Sequence, residues 1–89
     1  MIKIKKESKP ISELKEGDKI KIDGKELEVE ANILLIDHGK GKEERALELI
    51  RNDKEFQLRY FSDMVENSLE FFILKEIQYE SLDVKEVEW

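Results

Sequence analysis

Lys19-Ile20-Lys21-Ile22-Asp23-Gly24-Lys25-Glu26-Leu27-Glu28 alternates charged and apolar residues on either side of an Asp-Gly pair. Such a pair supplies the two positive φ angles of a type I′ turn, so the stretch reads as a β-hairpin with a two-residue loop. That loop sets the register. Lys21 then faces Glu26, Ile20 faces Leu27 and Lys19 faces Glu28, which gathers opposite charges on one face and apolar groups on the other. A slip of one residue would set lysine against leucine and spoil both faces. The second strand runs on through Val29 and Ala31 into Ile33-Leu34-Leu35-Ile36, where alternation stops. Apolar residues on both faces predict the most buried strand of the protein, or a bend at a barrel corner.

Working outward, Asp37-His38-Gly39-Lys40-Gly41-Lys42 is a polar, glycine-containing loop expected to be mobile. A second hairpin is expected around Asn52-Asp53-Lys54, with Leu47 and Leu49 sharing the parity of Leu58 and Tyr60. Two tips fit: with Asp53-Lys54, Glu48 faces Arg59, whereas with Asn52-Asp53 the faces stay and the partners move. Before the first hairpin, Pro10 follows a strand candidate at Ile2 to Lys6. Ser12 could cap one helical turn that Gly17 ends.

Residues 62 to 77 admit two readings. As a helix, Asp63 and Glu66 form a capping-box-like start and Val65, Leu69, Phe72, Ile73 and Ile77 share a stripe. As a strand, Leu69, Phe71, Ile73, Ile77 and Tyr79 alternate with polar residues, and the adjacent Phe71-Phe72-Ile73 favours this reading. Ser81 to Trp89 reads as a last, edge strand. The expected fold is therefore mainly β: a single domain over residues 1–89, a small SH3-like or partly open barrel of about six strands. The alternative is an α+β fold with a helix near residues 62–77.

Composition narrows the function classes. With 89 residues, 39% of them hydrophobic, and no cysteine, one modest core must hold by packing alone. A reducing cytoplasm suits such a chain. The opening Met1-Ile2-Lys3-Ile4-Lys5-Lys6 has no apolar run of signal-peptide length, and no run of ~18 apolar residues occurs, so neither secretion nor a membrane span is expected. Charged residues make up 43%, dominated by Glu and Lys, with two Gln, three Asn and three Arg. That balance points to a thermophilic source, with an AT-rich genome as the competing cause. The net charge of -6 disfavours nucleic acid and anionic lipid as partners.

Catalytic equipment is sparse. His38 is the one histidine, and its neighbours Asp37, Glu43 and Glu44 show no metal-ligand spacing. Glu26, Glu28 and Glu30 form a stripe that reads as a solvated face paired with Lys19 and Lys21. Neither a P-loop, a dinucleotide glycine fingerprint, a nucleophile elbow, HExxH nor an EF-hand loop is present. No enzyme, cofactor or metal is expected. Gly39-Lys40-Gly41-Lys42 could offer amides and cations to a phosphate, and Arg59 beside Tyr60 could stack on single-stranded nucleic acid, though a small core claims its aromatics first.

Leu14-Lys15-Glu16-Gly17-Asp18-Lys19-Ile20-Lys21-Ile22-Asp23-Gly24-Lys25, followed by Val29-Glu30, resembles the opening of the SH3-like barrel of the elongation factor P family and its archaeal and eukaryotic counterparts. In that family a connector, Gly-Asp, strand, turn and strand lead to a basic loop near the ribosome. The resemblance covers residues 12 to 42 and sets His38 to Lys42 in the place of that loop. Where archaeal members carry lysine-glycine-lysine before a histidine, this chain has Leu35-Ile36-Asp37. The resemblance implies a barrel and an RNA- or ribosome-associated accessory role. The residues themselves point first to a non-catalytic binding or protein-interaction module, with His38, Lys40, Lys42 and Trp89 as candidate binding residues. Its partner would be an unknown protein or a second copy, joined through the C-terminal edge strand, where Trp89 either serves that edge or folds back over its own core.

Overall fold

A computed structural model describes residues 2–89. It is a mainly β fold with eight strands in one open sheet. In chain order these are β1 (Lys3–Lys6), β2 (Lys19–Ile22), β3 (Lys25–Asp37), β4 (Glu43–Arg51), β5 (Lys54–Phe61), β6 (Glu70–Lys75), β7 (Gln78–Leu82) and β8 (Glu86–Glu88). A 3-10 turn at Ile11–Glu13 and a single helical turn, α1 (Val65–Ser68), complete the elements. Across the sheet the order is β1-β8-β2-β3-β4-β5-β6-β7.

The first hairpin has the expected register: Lys19 opposite Glu28, Ile20 opposite Leu27, Lys21 opposite Glu26. Asp23 and Gly24 both take positive φ, as a type I′ tip requires. Lys19 Nζ donates to Glu28 Oε1 at 2.7 Å on the exposed face, while Ile20, Ile22, Leu27 and Val29 go into the core. In the second hairpin Arg51 pairs with Lys54 and Glu48 with Gln57, so Asn52-Asp53 is the tip. Both tip residues are left-handed, a conformation that Asn and Asp tolerate best after glycine. Leu47, Leu49, Leu58 and Tyr60 are fully buried on the inner face.

Four expectations are corrected. The sheet has eight strands instead of about six, and its outer strands, β1 and β7, do not pair, so it stays open where a barrel would close. Bulges in β3, between Val29 and Ala31 and between Leu34 and Ile36, locally disrupt its ladder and bend it. Residues 62–77 hold both readings in miniature. The helix is only α1, its N-cap is Met64 with no side-chain cap, and β6 then carries Phe71 inward. Ile77 is not a strand residue: it forms the β6–β7 tip with left-handed Glu76 and is 96% exposed.

Ser12 lies inside the 3-10 turn, which starts after Pro10 without a side-chain cap. Gly17, at φ +94°, belongs to the following turn, closed by the Asp18 amide donating to the Lys15 carbonyl. Asp18 Oδ2 accepts from Lys9 Nζ at 2.9 Å and from the Lys15 amide at 3.0 Å. The Lys9 bond, then the amide, holds this carboxyl below its ordinary value of 3.8. A carboxyl depressed by folding contributes stability above its unfolded pKa and loses it as pH falls through the folded value. Asp18→Asn should thus lower the melting temperature slightly at neutral pH, and the gap to the parent protein should close once pH falls below 3.8. A gap that stays constant down to acid would assign the loss to geometry.

The C-terminal segment is the fourth correction. β8 is not an edge: it runs parallel to β1 on one side and antiparallel to β2 on the other. Asp23 Oδ1 accepts from the amides of Lys85 and Glu86, and the Asp23 amide donates back to the Glu86 carbonyl, so the first hairpin's tip clamps the approach to β8. Val87 is 1% exposed. The free edges belong to β1 and β7.

Candidate functional site

The run Ile33 to Ile36 is the reverse of the most buried strand. Leu34, Leu35 and Ile36 are 48%, 39% and 50% exposed. Pairing explains this. β2 covers β3 only from Lys25 to Glu28, and the turn before β2 extends cover to Val29, where the Gly17 amide donates to the Val29 carbonyl and the Val29 amide donates to Asp18. At Asn32 the side-chain amide donates to the carbonyls of Ile11, Ser12 and Leu14, tying the 3-10 turn against the strand. Among the described residues, β3 beyond Asn32 pairs with β4 alone. Its far half is thus a strand with one unpaired side carrying three consecutive exposed aliphatic residues.

The loop carrying His38, Lys40 and Lys42 stands at the end of this half-strand. It is a turn held by hydrogen bonds of its own. Asp37 Oδ1 accepts from the Gly39 amide, the His38 amide donates to the Lys42 carbonyl and the Lys42 amide to the Gly39 carbonyl. Gly39, Lys40 and Gly41 are all left-handed. Ser62 anchors the turn from β5's end: its hydroxyl donates to the Gly41 carbonyl and accepts from the Glu43 amide. His38 Nε2 lies 3.9 Å from Glu44 Oε2, and its ring centroid is 6.1 Å from that of Phe61. Among the described residues Lys40 and Lys42 make no ion pair, and no group of three His, Cys, Asp or Glu side chains is placed to hold a metal ion. No described helix is long and apolar enough to cross a membrane.

Trp89 is not brought to this site. Its indole Nε1 donates to the Lys9 carbonyl at 2.7 Å, its amide donates to the Lys6 carbonyl, and its ring packs against the core. Of the two roles open to it, folding back over its own core is the one adopted. Arg59 and Tyr60, neighbours in sequence, occupy opposite faces. Tyr60 points into the core, whereas the Arg59 guanidinium lies over Phe72, 4.2 Å from the ring centroid. Arg59 Nε also donates to the Gln57 side chain, whose amide donates to Glu48. One face of that guanidinium is therefore taken by Phe72. Burial, then the Glu48 charge, pushes the Tyr79 phenol above its ordinary pKa, so it stays a donor to Glu48 Oε2 at 3.3 Å.

A second feature escaped the sequence reading. At the other end of the sheet, between the two hairpin tips and residues 82–84, lies an open cavity of about 410 Å³. Its rim carries Lys25, Arg51 and Lys54, and its wall includes Phe56 and Phe71, stacked with centroids 5.4 Å apart. Parity was the missed signal. Lys25 shares the face of Leu27, Arg51 that of Leu49, and Lys54 that of Phe56, so all three cations continue the inward-facing stripes past the core. Compared with protein-family models, curated proteins and solved structures, the chain matches none.

Proposed function

We propose that this protein is a non-catalytic interaction module that captures an extended, aliphatic-rich segment of another protein on the unpaired side of β3. The observation that carries the reading is the coincidence of Leu34, Leu35 and Ile36, exposed together, with a half-strand paired only to β4. Either alone is ordinary; together they offer backbone hydrogen bonds for affinity and side-chain contacts for selectivity, as strand addition requires. The loop beyond them supports the reading, because Lys40 and Lys42 are uncommitted and stand where the added segment would leave. An acidic flank on the partner suits them.

The test is capture from native lysate by the full chain and by the double variant L34K/I36K. Both positions are exposed, so the variant should fold, with circular dichroism unchanged. The partner retained by the parent protein should bind at least tenfold more weakly to the variant, since two aliphatic contacts and two new charges act together. Equal retention by both proteins would sink the reading. RNA recovered in place of a protein, released by salt and lost in H38A/K40A/K42A, would favour the RNA- or ribosome-associated accessory role instead.

A further inference from the structure

The cavity between the hairpin tips shares no residue with the Leu34–Ile36 surface, and its chemistry is different. Its lining is largely apolar, with Leu27, Phe56, Phe71, Ile73 and the exposed Leu82 among its residues. Phe56 and Phe71 lie within 7° of parallel as a stacked pair and give that lining its aromatic part. The volume of about 410 Å³ falls within the range of small-molecule sites, roughly 300–1,000 Å³.

The cations are the informative part. A sheet whose inner face simply ran out into solvent could end its stripes in any polar residue. Here three adjoining stripes end in Lys25, Arg51 and Lys54, in a chain whose net charge is -6. Among the described residues none of the three makes an ion pair within 4.0 Å. Two acids also line the cavity, Asp23 and Asp83. Asp23 is occupied, its Oδ1 accepting from the amides of Lys85 and Glu86. The balance left at the rim is positive, over a largely apolar, partly aromatic lining.

We infer that this cavity binds a small amphipathic organic anion, a single carboxylate or sulfonate on an apolar body. The anionic head sits among Lys25, Arg51 and Lys54, where bidentate contact with the Arg51 guanidinium suits a planar carboxylate. The apolar body lies against Phe56 and Phe71. A dianion suits the site less, because Asp83 opposes the second charge, and a neutral apolar molecule leaves the cations without a partner.

The experiment uses the full chain with 8-anilinonaphthalene-1-sulfonate as a fluorescent probe and decanoate as competitor. Saturable one-to-one enhancement is expected, displaced by decanoate and far less by decanol, and weakened by salt. The triple variant K25Q/R51Q/K54Q changes only rim positions and should keep its circular dichroism. It should bind the probe roughly tenfold more weakly, since three partly exposed charge contacts contribute a factor of a few each. L82W, which fills the cavity from its exposed wall, should abolish binding. The inference is overturned if neither probe nor decanoate binds saturably, if decanol competes as well as decanoate, or if folded K25Q/R51Q/K54Q binds like the parent protein.

Discussion

Asn32→Ala should cost about 2–4 kcal/mol, because it strips hydrogen bonds from several partly buried polar groups, each worth up to about 1–3 kcal/mol. In a domain of this size that is a fall of roughly 10–20 °C in melting temperature. The reason lies in how many groups one side chain satisfies. Asn32 Nδ2 has two hydrogens and faces three carbonyls, those of Leu14 at 3.0 Å, Ile11 at 3.2 Å and Ser12 at 3.3 Å. Its Oδ1 accepts from the Tyr60 hydroxyl at 3.0 Å and from Arg45 Nε at 3.4 Å. Alanine abandons all of them. Burial pushes the Tyr60 phenol above its ordinary pKa, so that hydroxyl stays a donor and would lose the acceptor it uses. Ile11 and Leu14, each 3% exposed, enter the core from the turn that Asn32 holds.

Two companions make this prediction discriminating. Tyr60→Phe removes one bond and keeps the ring, so it should cost only about 1 kcal/mol. Asn32→Asp keeps Oδ1 but replaces the amide nitrogen and both its donors with a second oxygen, aiming a charge at three carbonyls with Arg45 the only compensation, so it should fall nearly as far as alanine. Thermal unfolding of the three variants is the measurement. Equal, small losses in all three would mean that the turn holds itself against the sheet without Asn32.

The first hairpin was legible to the residue because three signals agree there: a tip that demands Asp-Gly, charges that match across the strands, and apolar positions of one parity. At Asn52-Asp53 the parity was equally plain, but two adjacent tips satisfy it, and only the left-handed angles decide between them. Ile33 to Ile36 misled for a different reason. Alternation is lost when a strand is buried on both faces, and equally when it outruns its neighbour and bulges. Hydropathy carries no information about where β2 stops. Asn32 was illegible because an asparagine in a strand looks like a mild misfit until the turn it satisfies is brought beside it from 18 to 21 residues away. The rim cations are legible by parity alone: Lys25, Arg51 and Lys54 share the inward faces of Leu27, Leu49 and Phe56.

Removing residues 84–89 should unfold the protein or leave it barely stable, without any change in association that precedes the loss of fold. An edge strand could be cut with little effect on melting. β8 instead stands between β1 and β2, so its removal leaves β1 without any strand partner and uncovers one side of β2. Val87 is buried, and hiding such a side chain contributes about 1.5–3 kcal/mol. The Trp89 ring adds a share of similar size, discounted because it is only partly buried. Its indole bond to the Lys9 carbonyl adds about 1 kcal/mol. Against a total of roughly 5–15 kcal/mol for a small domain, these losses and the broken ladder consume most of the margin. Point variants separate the parts. Trp89→Phe keeps a ring against the core and loses the bond to Lys9, so it should cost about 1 kcal/mol, and Trp89→Ala about 2–3 kcal/mol. Circular dichroism melts with light scattering at each temperature give the answer. A truncated chain that melts like the parent protein but no longer self-associates would overturn the placement of β8 inside the sheet.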